Sequence, residues 1–369
     1  MLLVQTDREA LLKTLQSVTG IVERRHTLPI LSNVLLEGKG NKLSFTATDL
    51  EIQVRADSEE VNFDNDFSIT LSAKKLQDIL RALAEGTKIS LNQVDSKILV
   101  KAGKSRFNLQ TLPAEDFPKF PIGEGNEQTI EIEQKVLINL LNQVQFAMAQ
   151  QDIRYYLNGM LVVLREGKIR VVATDGHRLS YAEAPIDEKS EINAEVIVPR
   201  KTVMELMRLL TDSEDKVVLE IGKNQIKFGF NNVNLNSKIV EGKFPDYTKV
   251  IPAAYKNVFT VDRITLLQAL QRAAILSNEK FRGVRMVLTK DSVSVISSNS
   301  EQEEAQEEVE IKYDGDAIDI GFNVSYLLDV LNNVNSQEIE CSFGDSNSSG
   351  VFTLPGNHSF KYVVMPMRI

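Results

Sequence analysis

The chain has 369 residues, enough for two or three domains; 43% are hydrophobic and 25% charged, proportions at which a whole chain folds. A single cysteine, Cys341, excludes an intrachain disulfide and fits a reducing cytoplasm; with no basic segment leading into an apolar one at the start and no run near the ~18 apolar residues of a membrane span, secreted and membrane classes are set aside. Net charge is −9, from 42 Lys and Arg against 51 Asp and Glu, which taken alone disfavours nucleic acid as a partner.

In chain order, Asp7-Arg8-Glu9-Ala10-Leu11-Leu12 opens an amphipathic helix, its acid placed where the helix dipole favours it. A strand-like run from Lys42 ends at Ala47-Thr48-Asp49, and Lys74-Lys75-Leu76-Gln77-Asp78-Ile79-Leu80 begins a second helix. Phe117-Pro118 precedes the breaker-rich linker Gly123-Glu124-Gly125-Asn126. The series then recurs. Glu133-Gln134-Lys135-Val136-Leu137 opens a helix, Ala173-Thr174-Asp175 ends a strand, Arg200-Lys201-Thr202-Val203-Met204 opens a helix, and Phe244-Pro245 follows. After Ile251-Pro252-Ala253-Ala254 it recurs again with Asp262-Arg263-Ile264-Thr265-Leu266, Ser297-Ser298-Asn299 and Val324-Ser325-Tyr326-Leu327, without a third Phe-Pro. A period of about 125 residues is domain-sized and far longer than a solenoid repeat. Three similar α+β domains are expected, at residues 1–125, 126–254 and 255–369, each with two helices lying on one face of antiparallel sheets.

Charge is unevenly distributed. The six helix-like segments (residues 7–25, 73–81, 133–154, 199–210, 262–282 and 324–334) sum to +6, leaving −15 for the rest. Helices on one side of their sheets would make a positive face suited to a phosphate backbone, although Lys and Arg are also ordinary residues of solvated helix faces. Residues 97–106 carry Lys97, Lys101, Lys104 and Arg106 without an acid; residues 301–310 carry Glu301, Glu303, Glu304, Glu307, Glu308 and Glu310 without a base. A basic strand edge in the first domain and an acidic one in the third predict head-to-tail association, which closes into a ring or runs on as a filament.

Enzyme motifs are missing. The three histidines, His26, His177 and His358, show no zinc spacing with the cysteine, and dinucleotide, P-loop and nucleophile-elbow patterns do not occur. Neither a metal nor a cofactor is expected. Thr174-Asp175-Gly176-His177-Arg178-Leu179 reads as a strand-end turn in which His177 and Arg178 offer polar edges to a ligand. The apolar ending Tyr362-Val363-Val364-Met365-Pro366-Met367-Arg368-Ile369 reads either as a core strand or as the lining of an adaptable peptide groove, a use methionine suits.

Several stretches resemble the bacterial DNA sliding clamp family, the beta subunit of DNA polymerase III. They are Thr27-Leu28-Pro29-Ile30-Leu31, Gln151-Asp152-Ile153-Arg154-Tyr155-Tyr156-Leu157-Asn158-Gly159, Ala173-Thr174-Asp175-Gly176-His177-Arg178-Leu179, Phe244-Pro245-Asp246-Tyr247, Ile275-Leu276-Ser277-Asn278-Glu279-Lys280-Phe281-Arg282-Gly283, Gly321-Phe322-Asn323-Val324 and the Val364-Met365-Pro366-Met367-Arg368 tail. The resemblance implies three clamp domains per chain and a head-to-tail homodimer whose six domains ring duplex DNA, helices inside and sheets outside. No chemistry is implied: the ring keeps the replicative polymerase on its template and slides on phosphate contacts without reading bases. The partners implied are DNA of any sequence, a second copy, the polymerase, the clamp loader and other proteins carrying short clamp-binding peptides. An acidic peptide-binding scaffold that never encircles DNA is the alternative.

By position, the resemblance implies DNA contacts at Arg25, Gln151 and Tyr155, with Arg24 adding a second arginine and Lys74, Arg81, Arg200, Lys201 and Arg208 facing the channel. It implies a peptide pocket of Leu157, Thr174, Gly176, His177, Arg178, Leu179, Pro245, Val250, Val363, Met365, Pro366, Met367 and Arg368, with Arg154 and Tyr156 beside it. Lys249 stands at the rim where arginine is expected and loses the planar fork; Ile369 replaces a terminal leucine. The seam would pair Lys75, Lys97, Lys104 and Phe107 with Ile275, Leu276, Glu301, Glu303 and Glu307 of the other copy.

Overall fold

The order strand, helix, four strands, helix, three strands occurs three times along the chain. The computed structural model describes residues 1–23, 28–61, 63–120, 128–186 and 192–369. The first series is β1 (Leu2–Asp7), α1 (Arg8–Val18), β2 (Asn33–Lys39), β3 (Lys42–Thr48), β4 (Ile52–Glu60), β5 (Phe67–Ser72), α2 (Ala73–Ala82), β6 (Lys88–Val94), β7 (Lys97–Ala102) and β8 (Ser105–Gln110). The second is β9 (Gln128–Glu133), α3 (Gln134–Val144), β10 (Gly159–Arg165), β11 (Lys168–Thr174), β12 (Arg178–Pro185), β13 (Ala194–Pro199), α4 (Arg200–Leu209), β14 (Lys216–Ile221), β15 (Gln225–Phe230) and β16 (Val233–Lys238). The third is β17 (Asn257–Asp262), α5 (Arg263–Ala274), β18 (Gly283–Thr289), β19 (Ser292–Ser298), β20 (Glu304–Glu310), β21 (Ile318–Asn323), α6 (Val324–Asn333), β22 (Glu338–Phe343), β23 (Gly350–Leu354) and β24 (Asn357–Val364).

Local chemistry explains the helix starts. The Asp262 carboxylate accepts from the Thr265 N–H at 2.7 Å and the Asn323 side chain from the Ser325 N–H at 2.9 Å, satisfying N-terminal donors of α5 and α6. Asp7 occupies the equivalent place before α1, but its carboxylate pairs with Lys88 at 2.8 Å and caps nothing. Each helix buries one stripe: Leu11, Leu15 and Val18 on α1, Leu76 and Leu80 on α2, Leu327, Val330 and Leu331 on α6. Strands alternate, as in β14, where Val217, Leu219 and Ile221 point inward.

Contacts gather these residues into two units, Met1–Lys135 with Met204–Ile239, and Val136–Val203 with Val240–Ile369. The first unit holds a sheet in the order β1-β6-β7-β8 and an eight-stranded sheet, β5-β2-β3-β4-β16-β15-β14-β9. In the latter, β4 and β16 pair antiparallel from Ile52↔Ser237 to Ala56↔Val233, joining strands of the first and second series. The second unit repeats the plan with β20-β19-β18-β21 and with β13-β10-β11-β12-β24-β23-β22-β17, joined where β12 meets β24. No described helix is long and apolar enough to cross a membrane.

Three expectations need correction. The helices are shorter than the segments used for the charge sum: α1 gives way to a 3-10 turn at Thr19–Ile21, α3 to one at Gln145–Ala147, and α5 stops at Ala274. Recounted over the six helices, eleven Lys and Arg face four acids, Glu9, Asp78, Glu205 and Asp329, so the basic bias survives. The basic run is not one edge. Lys97 and Lys101 lie on β7, second from the end, and only Arg106 and Phe107 lie on the edge strand β8. Lastly, Glu307 is half-buried on β20 and already pairs with Arg272 of its own chain at 2.5 Å, so it does not stand as an unpartnered seam acid.

Candidate functional site

The turn between β11 and β12 is built by Asp175 and Thr174. Asp175 Oδ1 accepts from the His177 and Arg178 N–H groups at 2.9 and 3.1 Å; Thr174 Oγ1 accepts from the Gly176 N–H at 3.1 Å and donates to the Arg178 carbonyl at 2.6 Å. Gly176 sits at φ +91°, in the left-handed region, with the Arg154 guanidinium where a Cβ would reach. His177 is exposed at the tip.

Arg178 does not offer its polar edge to a ligand. Its guanidinium turns inward and donates to Asp175 at 3.1 Å, to the Phe146 carbonyl at 2.7 Å, and to Asp329 and the Tyr362 hydroxyl, while stacking 4.3 Å above the Tyr326 ring. Burial opposes its charge, but Tyr362 and Asp329 outweigh burial and hold it protonated. Arg178 is therefore the peg that fixes this turn to α6 and β24.

β24 runs antiparallel to β12, placing Val363 opposite Leu179. The chain then leaves the sheet: Met365 donates its N–H to the His177 carbonyl at 2.9 Å and exposes its side chain, and Met367 donates to the Gly321 carbonyl at 2.9 Å. The tail is thus core strand through Val364, as the first sequence reading expects, and leaves the sheet after it with Met365 exposed and Met367 half-buried. Leu179 and Val363 belong to one apolar cluster with Phe244 and Tyr181, against which Tyr156, Tyr247 and Ile251 pack half-buried. Pro245 and Val250 are exposed beside that cluster in sequence, and Lys249 pairs with Asp246 at 3.2 Å.

The segment from Gln151 to Asn158 is held by its two ends. Asn158 exchanges hydrogen bonds with the backbone of Asp152, both at 2.9 Å, and the Asp152 carboxylate takes the Arg154 guanidinium in a fork at 3.1 and 2.9 Å. That guanidinium, with the Arg154 N–H, holds the Asp152 carboxyl down to about 2. Gln151 adopts φ +56°, Ile153 and Tyr155 stand exposed, and Leu157 is buried. Asn158, Tyr247, Phe146 and Asp329 were not singled out from sequence; Asn158 and Tyr247 lay inside the resemblance-bearing stretches, whereas Phe146 and Asp329 carried no local signal. Around the buried cluster, Ile153, Tyr155, Val250 and Met365 are the exposed apolar side chains.

The cations proposed from sequence are unequally available. Arg24 and Arg25 lie outside the described residues. Lys74 pairs with Asp78, and Arg208 is spent on Glu205 at 2.7 Å and on the Gln16 and Ser17 carbonyls at 3.2 and 2.8 Å. Arg200 is half-buried, and burial with the nearby Arg178 charge lowers its affinity for a proton. Lys201 and Arg81 are exposed on α4 and α2. Of the seam residues, Lys75, Lys97, Lys104, Glu301 and Glu303 are exposed, Phe107 and Leu276 half-buried, and Ile275 is 76% exposed, unusual for isoleucine.

Three family models match consecutive stretches: the DNA polymerase III beta subunit N-terminal domain at residues 2–121, the central domain at 131–246 and the C-terminal domain at 248–368. A beta sliding clamp of Pseudomonas putida is 47% identical over 364 residues, 98% of both chains. The crystal structure of the Pseudomonas aeruginosa DNA polymerase III subunit beta superposes with a TM-score of 0.96 at 46% identity, covering 99% of this chain and 100% of that one. A second Pseudomonas aeruginosa structure, a sliding clamp bound to griselimycin, gives 0.96 at 45% identity, with both chains fully covered.

Proposed function

The chain belongs to the DNA polymerase III beta subunit family, and from that premise we propose that it is a cytoplasmic, non-enzymatic processivity clamp. Two copies associate head to tail through the β8 and β20 edges into a ring around duplex DNA of any sequence. The domains are residues 1–125, 126–254 and 255–369. The observation that carries the reading is the threefold recurrence of one ten-element series, each copy overlapped by its own beta-subunit family match.

Lys74, Arg81 and Lys201, with Gln151 and Tyr155, are exposed and can meet phosphates; half-buried Arg200, and Arg208 held by Glu205 and two carbonyls, contribute field more than contact. Met365, exposed just beyond the buried Leu179 and Val363, and its exposed neighbours form the shelf that receives the peptides of the polymerase, the clamp loader and other partners; griselimycin, which a Pseudomonas aeruginosa relative binds, serves as its probe. Deleting residues 365–369 is expected to spare the dimer and abolish griselimycin binding by calorimetry; unchanged binding removes the shelf from the reading.

The ring is tested by loading the protein onto nicked circular DNA with its clamp loader, linearising half, and following retention by gel filtration. Retention on circles and loss from linear DNA is the expected result. Equal retention on both means surface binding, and retention on neither means the peptide-binding scaffold.

A further inference from the structure

β18 and β21 pair so that Gly283 faces Asn323 and Arg285 faces Gly321. Val284, Met286, Ile320 and Phe322 alternate with them and are buried in the core, so both glycines lie on the opposite face. Neither has a positive φ, so the backbone accepts any L residue and does not explain the missing side chains. Space does. A Cβ on Gly321 would run into the Met367 carbonyl oxygen and come within 2.8 and 2.9 Å of Ile369 Cδ1 and Cγ1; one on Gly283 would lie 3.2 Å from the same two carbons and 3.7 Å from Met367 Sδ. Glycine inside a strand costs stability and marks close approach by another segment.

We propose that Gly283 and Gly321 form a two-residue window on which Met367 and Ile369 seat, and that this seat, three to five residues beyond the end of β24, positions Met365 at the peptide shelf. The tail is fixed at both ends of its span, by Met365 N–H on the His177 carbonyl and by Met367 N–H on the Gly321 carbonyl. Pro366 between them restricts the path. Releasing the far end frees Met365 to swing off the shelf. The inference rests on the peptide-shelf reading above.

Gly321→Ala closes the window by one methyl without straining the strand, and Ile369→Ala removes the occupant without touching the sheet. Peroxide footprinting of intact protein, read by tandem mass spectrometry, reports the seat: half-buried Met367 should oxidise several-fold faster in either variant, approaching the rate of exposed Met365 in the same spectrum. Griselimycin affinity, measured on the same samples, should fall several-fold while the thermal transition stays in place. Gly283→Ala, facing only side-chain atoms, should show both effects more weakly. An unchanged Met367 rate in Gly321→Ala and Ile369→Ala overturns the seat. A faster rate with unchanged affinity overturns its role in positioning Met365. Failure of the unsubstituted protein to bind griselimycin, with normal footprinting, faults the shelf reading and leaves the seat intact.

Discussion

Arg178 shows what a single position hides from sequence. Its motif advertised a turn, and the turn is there, but the guanidinium's direction depends on Phe146, Asp329 and Tyr362, which are 32, 151 and 184 residues away. Arg178→Ala leaves the Phe146 carbonyl and the Asp175 and Asp329 carboxylates short of a partner and should cost about 3 kcal/mol; Arg178→Lys keeps the charge, loses the fork, and should cost about half as much. Hydrogen exchange at the Leu179 and Ser180 amides reads this locally, which matters in a chain of several domains. Asp152 gives a pH prediction. Its carboxyl is held at about 2 by Arg154, below the 3.8 of an unperturbed aspartate, so its contribution is present above about pH 4 and is lost as pH falls from about 4 towards 2. Carbon NMR should find its titration near pH 2, and Arg154→Ala should raise it part of the way to the ordinary value, since the backbone N–H of residue 154 remains.

Elements were legible where their signals are local. The strand-to-helix junctions at Asp7, Glu133 and Asp262 fall where the acidic residues mark them, and the 2- and 3.6-residue periodicities gave the α+β class. Helix ends were less legible: α3 stops at Val144 with no glycine or proline nearby, and the Phe146 carbonyl just beyond it accepts from the distant Arg178. Sheet membership was not legible at all, since the β4–β16 and β12–β24 pairings join distant strands by backbone hydrogen bonds that any side chain permits. At the end of α5, Ile275 is exposed in the single chain. Ile275→Ala should therefore change the folding of that chain by no more than about 0.5 kcal/mol. With Leu276→Ala added, the dimer should weaken about tenfold for each 1.4 kcal/mol lost at the seam. Sedimentation equilibrium beside a thermal melt separates the two effects. A shifted melt with an unchanged dimer would place both side chains in the fold of one chain and out of the seam.

The whole molecule carries −9 charge while its helices carry an excess of cations, and the two facts pull in different directions only if DNA is held by surface attraction. Attraction alone is salt-sensitive: neutralising Z phosphates gives a slope near −0.9Z in log affinity against log salt. A closed ring needs little attraction, because leaving requires a DNA end or an opened seam, and an acidic exterior then keeps it from sticking elsewhere. Retention on closed circles should accordingly change little between 50 and 200 mM salt, roughly the range over which phosphate-dominated binding collapses. On linear DNA, escape should be fast at both concentrations. Adding Ile275→Ala with Leu276→Ala should make circles as leaky as linear molecules without altering the salt response. A retention that falls steeply with salt on intact circles would mean that phosphate contacts, and not closure, hold this protein on DNA.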